Sequence, residues 1–498
     1  MKKIIVFVFL FIGLPTIYAQ YGDNLFIGRD FWKSAPDVET VKLKIEEGHD
    51  PVAMNQYAFD ATVYALLENA PAESIKYLLS LKGNEVDKIT HDGRNYLMWA
   101  AYKGNIPIMQ WLIDQGSDIH LVDDHGYNMM TFAAVGGQQS SEVYDLLLAN
   151  GCNIDDTNRE GANALLLLAP HLKDAEMLNY FVGKGLDLKT TDNEGNNLIN
   201  YSARLGNSDM IDHFIKKGLA YKRHNDNGGN AVMFASRGWR RSTNERSFFE
   251  YLDRLGVEMD VVTYEGKTPL HSISFNHKDV SLVDFFADRC VNVNQKDKDG
   301  NTALFNAIRG RNNDMISKLL SLTDDIDYQN HAGMSALLFA ARSNEMSVMK
   351  MILDNNPDIN VKDAQSRNAI THLFDVYSDR KRQLFDDQME YFLGQGLEPT
   401  VNKMDGTNIL HLAVNKRSIY LIDRAVQLGA DINRRNRDGL TPLHLAAMTS
   451  TDEQMLRKLL EYGADPGIKT EFDERAYDLA MENELLKMSE DEISFLKD

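Results

Sequence analysis

The chain has 498 residues, with 53 Lys or Arg against 73 Asp or Glu, and so carries a formal net charge of −20 at pH 7. A surface this acidic repels phosphate backbones and anionic lipid, which argues against nucleic acid or a membrane surface as the main partner. Two cysteines are too few for a disulfide framework, and 43% hydrophobic residues suffice for a continuous core without one.

At the N-terminus Met1-Lys2-Lys3 precedes an apolar run from Ile4 to Leu14 and then Pro15-Thr16-Ile17-Tyr18-Ala19. A positive start, a short apolar stretch and a small residue before the cut predict a secretory signal peptide over 1–19. The run is short for a membrane span, an uncleaved anchor being the alternative reading, and no later run is long enough. Cleavage after Ala19 removes Lys2 and Lys3 and takes the formal charge from −20 to −22. No cysteine lies near the cut to carry a lipid. The expected address is the periplasm or the medium. Residues 20–58 read as N-terminal capping helices, with Phe31, Trp32, Val38, Val41, Leu43 and Ile45 supplying a buried face.

A glycine then recurs at Gly93, Gly126, Gly161, Gly195, Gly228, Gly266, Gly300, Gly333, Gly406 and Gly439. The intervals are 33, 35, 34, 33, 38, 34, 33, 73 and 33, the 73 dividing into 33 and 40 at Ser366. Asp60 and Asp473 are expected in the same slot at either end. A fixed period in this range marks a solenoid of stacked units. The register gives about thirteen units, as tandem repeats over 59–470 and a C-terminal capping repeat over 471–498. The tail through Tyr477-Asp478-Leu479-Ala480 and Met488 to Ile493 is expected to continue as a polar capping helix. With no low-complexity linker, the register reads as one continuous array.

The fullest copy of the phrase is Asp438-Gly439-Leu440-Thr441-Pro442-Leu443-His444-Leu445-Ala446-Ala447. Glycine supplies a backbone angle that side chains resist. Thr441 can cap the helix that follows, and Pro442 suits its first turn. Leu443, Leu445, Ala446 and Ala447 give an apolar face. A second helix around Met455-Leu456-Arg457-Lys458-Leu459-Leu460 closes at Gly463. No unit can bury its apolar face alone, so neighbours bury it for one another.

The phrase, with partial copies at Glu265–His271, Asp299–Leu304 and Asp405–His411, resembles the ankyrin repeat over nearly the whole mature chain. The resemblance implies an all-α ankyrin-repeat solenoid of helix-turn-helix units with short β-hairpin fingers. It also implies a concave groove, lined by fingers and first helices, that receives a protein partner. The position nine residues after each glycine is expected to face that groove. Those positions are Tyr102, Val135, Pro170, Arg204, Arg237, Phe275, Arg309 and Arg342. Four arginines around one phenylalanine suit bidentate capture of carboxylates, as on an acidic patch of another protein.

Two intervals are stretched by basic insertions between first and second helices. One contains Arg237, Trp239, Arg240 and Arg241; the other contains Arg380, Lys381 and Arg382. Trp and Arg are frequent binding anchors, so both loops are candidate docking elements.

His271, His411 and His444 recur at one slot in separate units, which suits a bond to backbone in the adjoining turn rather than convergence on one metal ion. Cys152 and Cys290 sit four units apart. With helix layers ~8–10 Å apart they should be ~35–40 Å from one another, whereas a disulfide needs Cα atoms within about 7 Å. Two separate thiols are expected. No metal-binding, phosphate-cradling or nucleophile-elbow motif is present, and no cofactor is expected. The sequence therefore predicts a non-catalytic, monomeric protein–protein interaction scaffold of exported bacterial style. The resemblance also allows a periplasmic accessory that supports an oxidative-stress enzyme, and a secreted effector that binds host proteins.

Overall fold

A computed structural model of the protein describes residues 24–240, 242–486, 489 and 491–497. The signal-peptide assignment over 1–19 and the candidate Arg241 lie outside the described residues. The chain divides into two compact units, Met1–Asp226 and Asn227–Asp498.

Within these units the backbone is a succession of antiparallel helix pairs. Helices Arg29–Lys33 and Val38–Glu46 come first. Among the described residues twelve pairs follow, from Ala61–Leu67 with Ala72–Leu79 to Pro442–Thr449 with Gln454–Glu461, and a single helix Ala476–Glu482 closes the series. First helices are buried nearly all round. Met129 to Val135 are all inaccessible or nearly so, as are Ala231 to Ser236. Second helices bury one stripe, such as Met455, Leu456 and Leu459. Alanines recur on the first helices because each is packed on both sides by neighbours.

Helix starts are set by their caps. Asn95, Asn128, Asn163, Asn197, Asn368 and Thr441 each accept a backbone N–H of the first turn. The turn residue sits two positions before the cap, in the left-handed region. Gly439 has φ +75°, and Ser366 and Asp473 hold the slot at 61° and 66°. At the N-terminal end the slot belongs to Ala58, φ 58°, rather than to Asp60. Asp60 is itself the cap and accepts from the Val63 N–H at 2.9 Å. The spacing from Ala58 to Gly93 is 35 residues, two longer than the 33 that Asp60 would give.

The fingers are tighter than the β-hairpins that the resemblance implies. Among the described residues they contain isolated bridges, such as Thr90↔Arg94 and Lys469↔Arg475, and no strand. A side chain organises each turn: Asp123 Oδ1 accepts from the N–H groups of His125 and Tyr127 at 3.0 and 2.8 Å. Successive fingers are joined by a backbone bond, as from Lys298 N to Glu265 O at 2.7 Å and from Arg437 N to Asp405 O at 2.7 Å.

Both ends depart in detail from expectation. Phe26, Trp32 and Val41 are fully buried, and Trp32 Nε1 donates to the Phe26 carbonyl at 2.8 Å. Leu43, in contrast, is 52% exposed. Among the described residues of the C-terminal tail, the last α-helix ends at Glu482 rather than continuing as a polar helix. The tail ends in a 3-10 turn, Ser494–Leu496, that buries Ile493 and Leu496.

Candidate functional site

The recurrent histidines are cap residues. Thr268 N donates to His271 Nδ1 at 3.0 Å, which leaves the proton on Nε2, and Nε2–H donates to the Asn301 carbonyl of the next finger at 3.1 Å. His444 repeats this with Thr441 N at 3.1 Å and Ile468 O at 3.0 Å. His411 Nε2 reaches Leu440 O at 3.1 Å. Burial pushes the pKa of all three down, so each is a neutral tie between neighbouring units.

Cys152 is buried, and its thiol is pushed up to about 12 by desolvation; Cys290 is exposed, and both are free thiols. Among the described residues, no group of three or more His, Cys, Asp or Glu side chains is placed to hold a metal ion.

The groove slots divide into packed and open ones. In the first unit, Tyr102 stacks on Phe132 with ring centroids 5.1 Å apart and lies against Gly136. Val135 and Pro170 are buried, against expectation, because their rings and branches pack into the helix layer. Arg204 is half-buried, its guanidinium 5.4 Å from the Tyr201 ring centroid.

In the second unit, Arg237, Phe275, Arg309 and Arg342 are exposed. Three of them meet. Arg237 ends helix Ala231–Arg237, Phe275 lies in the last turn of Pro269–Asn276, and Arg309 lies in the last turn of Ala303–Gly310. These three, with Ser272, Asn276 and Asn306, line a cavity of about 270 Å³. Phe275 is 50% exposed. No carboxylate lines the cavity, and neither Arg237 nor Arg309 makes an ion pair among the described residues.

Arg342 is different. It lies 3.8 Å from Asp375 and 3.3 Å from His372 Nδ1, in a network where Arg367 holds Asp375 at 3.1 Å and Asp363 at 2.7 Å. Its charge is spent inside the protein.

The first insertion leaves from the edge of this cavity. Arg237 is its departure point, and Asn276 Nδ2 donates to the Arg237 carbonyl at 3.3 Å. In the loop the backbones of Trp239 and Ser242 bond each other at 2.9 Å in both directions. Trp239 is half-buried, and Arg240 is exposed at φ 55° with its guanidinium 6.0 Å from the indole. Residues 243–247 then form one wall of a second cleft, of about 550 Å³, against Asn276–Asp279. The sequence presented the arginine stripe and the inserted loop as separate features. Asn276 lines both cavities, so they adjoin.

The second insertion is mostly self-satisfied. Arg382 pairs with Asp379 at 3.2 Å and covers the Tyr420 ring at 4.3 Å, and Tyr377 stacks on Tyr420 at 5.8 Å. Arg380 and Lys381 are exposed and make no ion pair among the described residues.

The family pattern described as Ankyrin repeats (3 copies) matches residues 61–158, 240–330, 270–363 and 382–470, together more than half of the chain. The chain belongs to the ankyrin repeat family. Among curated relatives, this ankyrin repeat protein is 31% identical over 136 residues to a fowlpox virus protein named for the same repeats, across 27% of this chain and 38% of that one. It is 25% identical over 207 residues to the nuclear factor NF-kappa-B p105 subunit of Gallus gallus, across 41% of this chain and 17% of the relative. The chain thus spans less than half the length of either relative. Of solved structures, the human ASB11 ankyrin repeat domain aligns with 47% of this chain and 99% of its own, at 18% identity and a TM-score of 0.36. Ankyrin repeats generally mediate protein–protein interaction and are typically non-catalytic modules.

Proposed function

We propose that this ankyrin repeat protein is an exported, non-catalytic scaffold that works as a monomer. It holds another protein through the face carrying Arg237, Phe275 and Arg309 and through the adjoining inserted loop. One observation carries the reading. Two arginines that have no carboxylate partner among the described residues flank a half-exposed phenylalanine, in a chain whose net charge is −20. In so acidic a protein, internal carboxylates could have neutralised these cations, as Asp375 does for Arg342. An exposed aromatic beside arginines is the composition of an interface anchor. Export rests on the charged, apolar and small-residue order of residues 1–19.

The test is affinity capture with residues 20–498 from the producing cell's own periplasm and medium, read by mass spectrometry. A reproducible protein partner, lost when Arg237 and Phe275 are both changed to Ala, is expected. Recovery of none overturns the scaffold reading. N-terminal sequencing of the mature protein should begin at Gln20; a chain that still begins at Met1 overturns cleavage, and one that stays wholly in the cytoplasm overturns export.

A further inference from the structure

The cavity at Arg237, Phe275 and Arg309 has a chemistry more specific than a general interaction face. Its volume of about 270 Å³ falls just below the ~300–1,000 Å³ usual for enclosed small-molecule sites. Half of Phe275 faces solvent, so the cavity suits one or two side chains of a longer ligand rather than a buried metabolite. Each arginine offers a planar fork matched to a carboxylate. The aromatic face between them offers apolar contact, and the Ser272 hydroxyl and Asn306 amide supply polar groups on the walls.

The arrangement is held from below. Asn306 Nδ2 donates to the His271 carbonyl at 2.8 Å, and His271 is itself tied to the finger at Asn301. Gly310 permits the closest approach, since a β-carbon there would lie 2.2 Å from the Phe275 carbonyl oxygen. The spacing of Phe275 and Arg309 is therefore fixed by backbone contact rather than by flexible side chains.

Resting on the scaffold reading above, we infer that this cavity recognises a peptide segment of the partner in which two carboxylate side chains flank an apolar one. The carboxylates pair with Arg237 and Arg309, and the apolar residue packs on Phe275. Charge complementarity selects the occupant: among the described residues the cavity's lining holds two arginines and no carboxylate, in a protein of net charge −20. The net excess of acid repels nucleic acid.

The test uses the full mature chain and short, end-blocked, fluorescein-labelled peptides carrying Glu-Phe-Glu or Gln-Phe-Gln, with binding read by fluorescence anisotropy. The Glu peptide should bind, and the Gln peptide should bind at least about tenfold more weakly. Arg237→Ala and Arg309→Ala should each weaken the Glu peptide by about tenfold or more. Phe275→Ala should weaken both peptides. Arg254→Ala, an exposed arginine outside the cavity, should leave both unchanged. Arg237→Lys should fall between wild type and Arg237→Ala, because it keeps the charge but loses the fork. Unchanged melting temperatures show that the variants are folded.

Equal binding of the two peptides, or wild-type affinity in the arginine variants, overturns the assignment. A phosphoserine counterpart that binds more tightly than the Glu peptide overturns the carboxylate choice. Wild-type dimers that dissociate on Arg237→Ala would make the occupant a second copy of this chain and overturn the peptide reading. If the pocket variants still capture the native partner, the pocket assignment fails while the scaffold reading stands.

Discussion

A β-carbon on Gly310 would sit 2.2 Å from the carbonyl oxygen of Phe275 and 3.1 Å from its Cα. The C-terminal ends of two neighbouring first helices therefore touch backbone to backbone. Alanine in a helix interior ordinarily gains up to ~1 kcal/mol over glycine. Here the obstacle is backbone and cannot swing aside, so the helices must separate, which is the overpacking case and costs about 1–3 kcal/mol. Gly310→Ala should lower the urea midpoint and weaken the Glu-Phe-Glu peptide together. An unchanged midpoint would mean that the contact is looser than the geometry states.

The second helices are linked by a different device. Tyr180 and Tyr462 donate their hydroxyls to Asp145 and Asp423 of the preceding unit at 2.9 and 2.6 Å, and Tyr420 does the same to Asp386. Lys184 lies 2.6 Å from Asp145 and Lys458 3.3 Å from Asp423. Each phenol is pushed above its ordinary pKa, by burial and its aspartate at Tyr180 and by the aspartate first at Tyr462. Tyr180→Phe and Tyr462→Phe should each cost about 0.5–1 kcal/mol. The residues lie in different compact units, so the double variant should be additive within about 0.5 kcal/mol. Marked non-additivity in denaturant titration would show that the two sites are coupled.

Much of this was legible in the sequence for a physical reason. Backbone demands that recur at a fixed interval leave a recurrent mark: left-handed turns, caps and helix-stop glycines locate the pairs to within a few residues, and the histidine slot reads as a tie to backbone. Side-chain pairing across units leaves a weaker mark. Asp423 and Tyr462 are 39 residues apart, and nothing local joins them. The candidate site was half legible. The nine-residue offset found Arg237, Phe275 and Arg309, but it also nominated Val135 and Pro170, which the core absorbs. Whether an arginine on that stripe is free depends on acids brought in by other elements, as Asp375 is brought to Arg342. Ala58 was missed because a non-glycine residue in a left-handed turn carries no compositional flag.

Acid should open the second compact unit. Burial lowers the pKa of His271, His277, His372, His411 and His444, all of which lie between 227 and 498. Each is neutral when folded and takes up a proton on unfolding once the pH is below about 6.5. The unfolded chain then binds more protons, so stability rises with pH up to about 6.5 and is lost as the pH falls through the lowered folded values. Asp363 acts with the same sign at lower pH. Burial alone would raise its pKa, but hydrogen bonds from His372 and Arg367 hold it well below the usual carboxylate range. His444→Gln keeps a side chain suited to the capping box without a titrating ring. It should flatten the pH slope of unfolding by at most about 1.4 kcal/mol per pH unit. A slope identical to wild type would remove His444 from this linkage.

The two thiols should behave oppositely. Cys152 is 9% exposed and its pKa is raised to about 12, so almost no thiolate is present at neutral pH to react. Cys290 is exposed and stands at φ 66°, in the slot that glycine holds at Gly256, Gly429 and Gly463. A thiol reagent at neutral pH should modify one cysteine rapidly in the native protein and the second only on denaturation, with mass mapping placing the fast label on Cys290. The backbone at residue 290 carries a cost as well, since a side chain in the left-handed region is disfavoured by roughly 1–2 kcal/mol. Cys290→Gly removes that cost but loses some to the greater freedom of an unfolded glycine. The net expectation is a stabilisation of up to about 1 kcal/mol, and a drop in melting temperature would show that the Cys290 side chain makes contacts worth more than the strain it imposes.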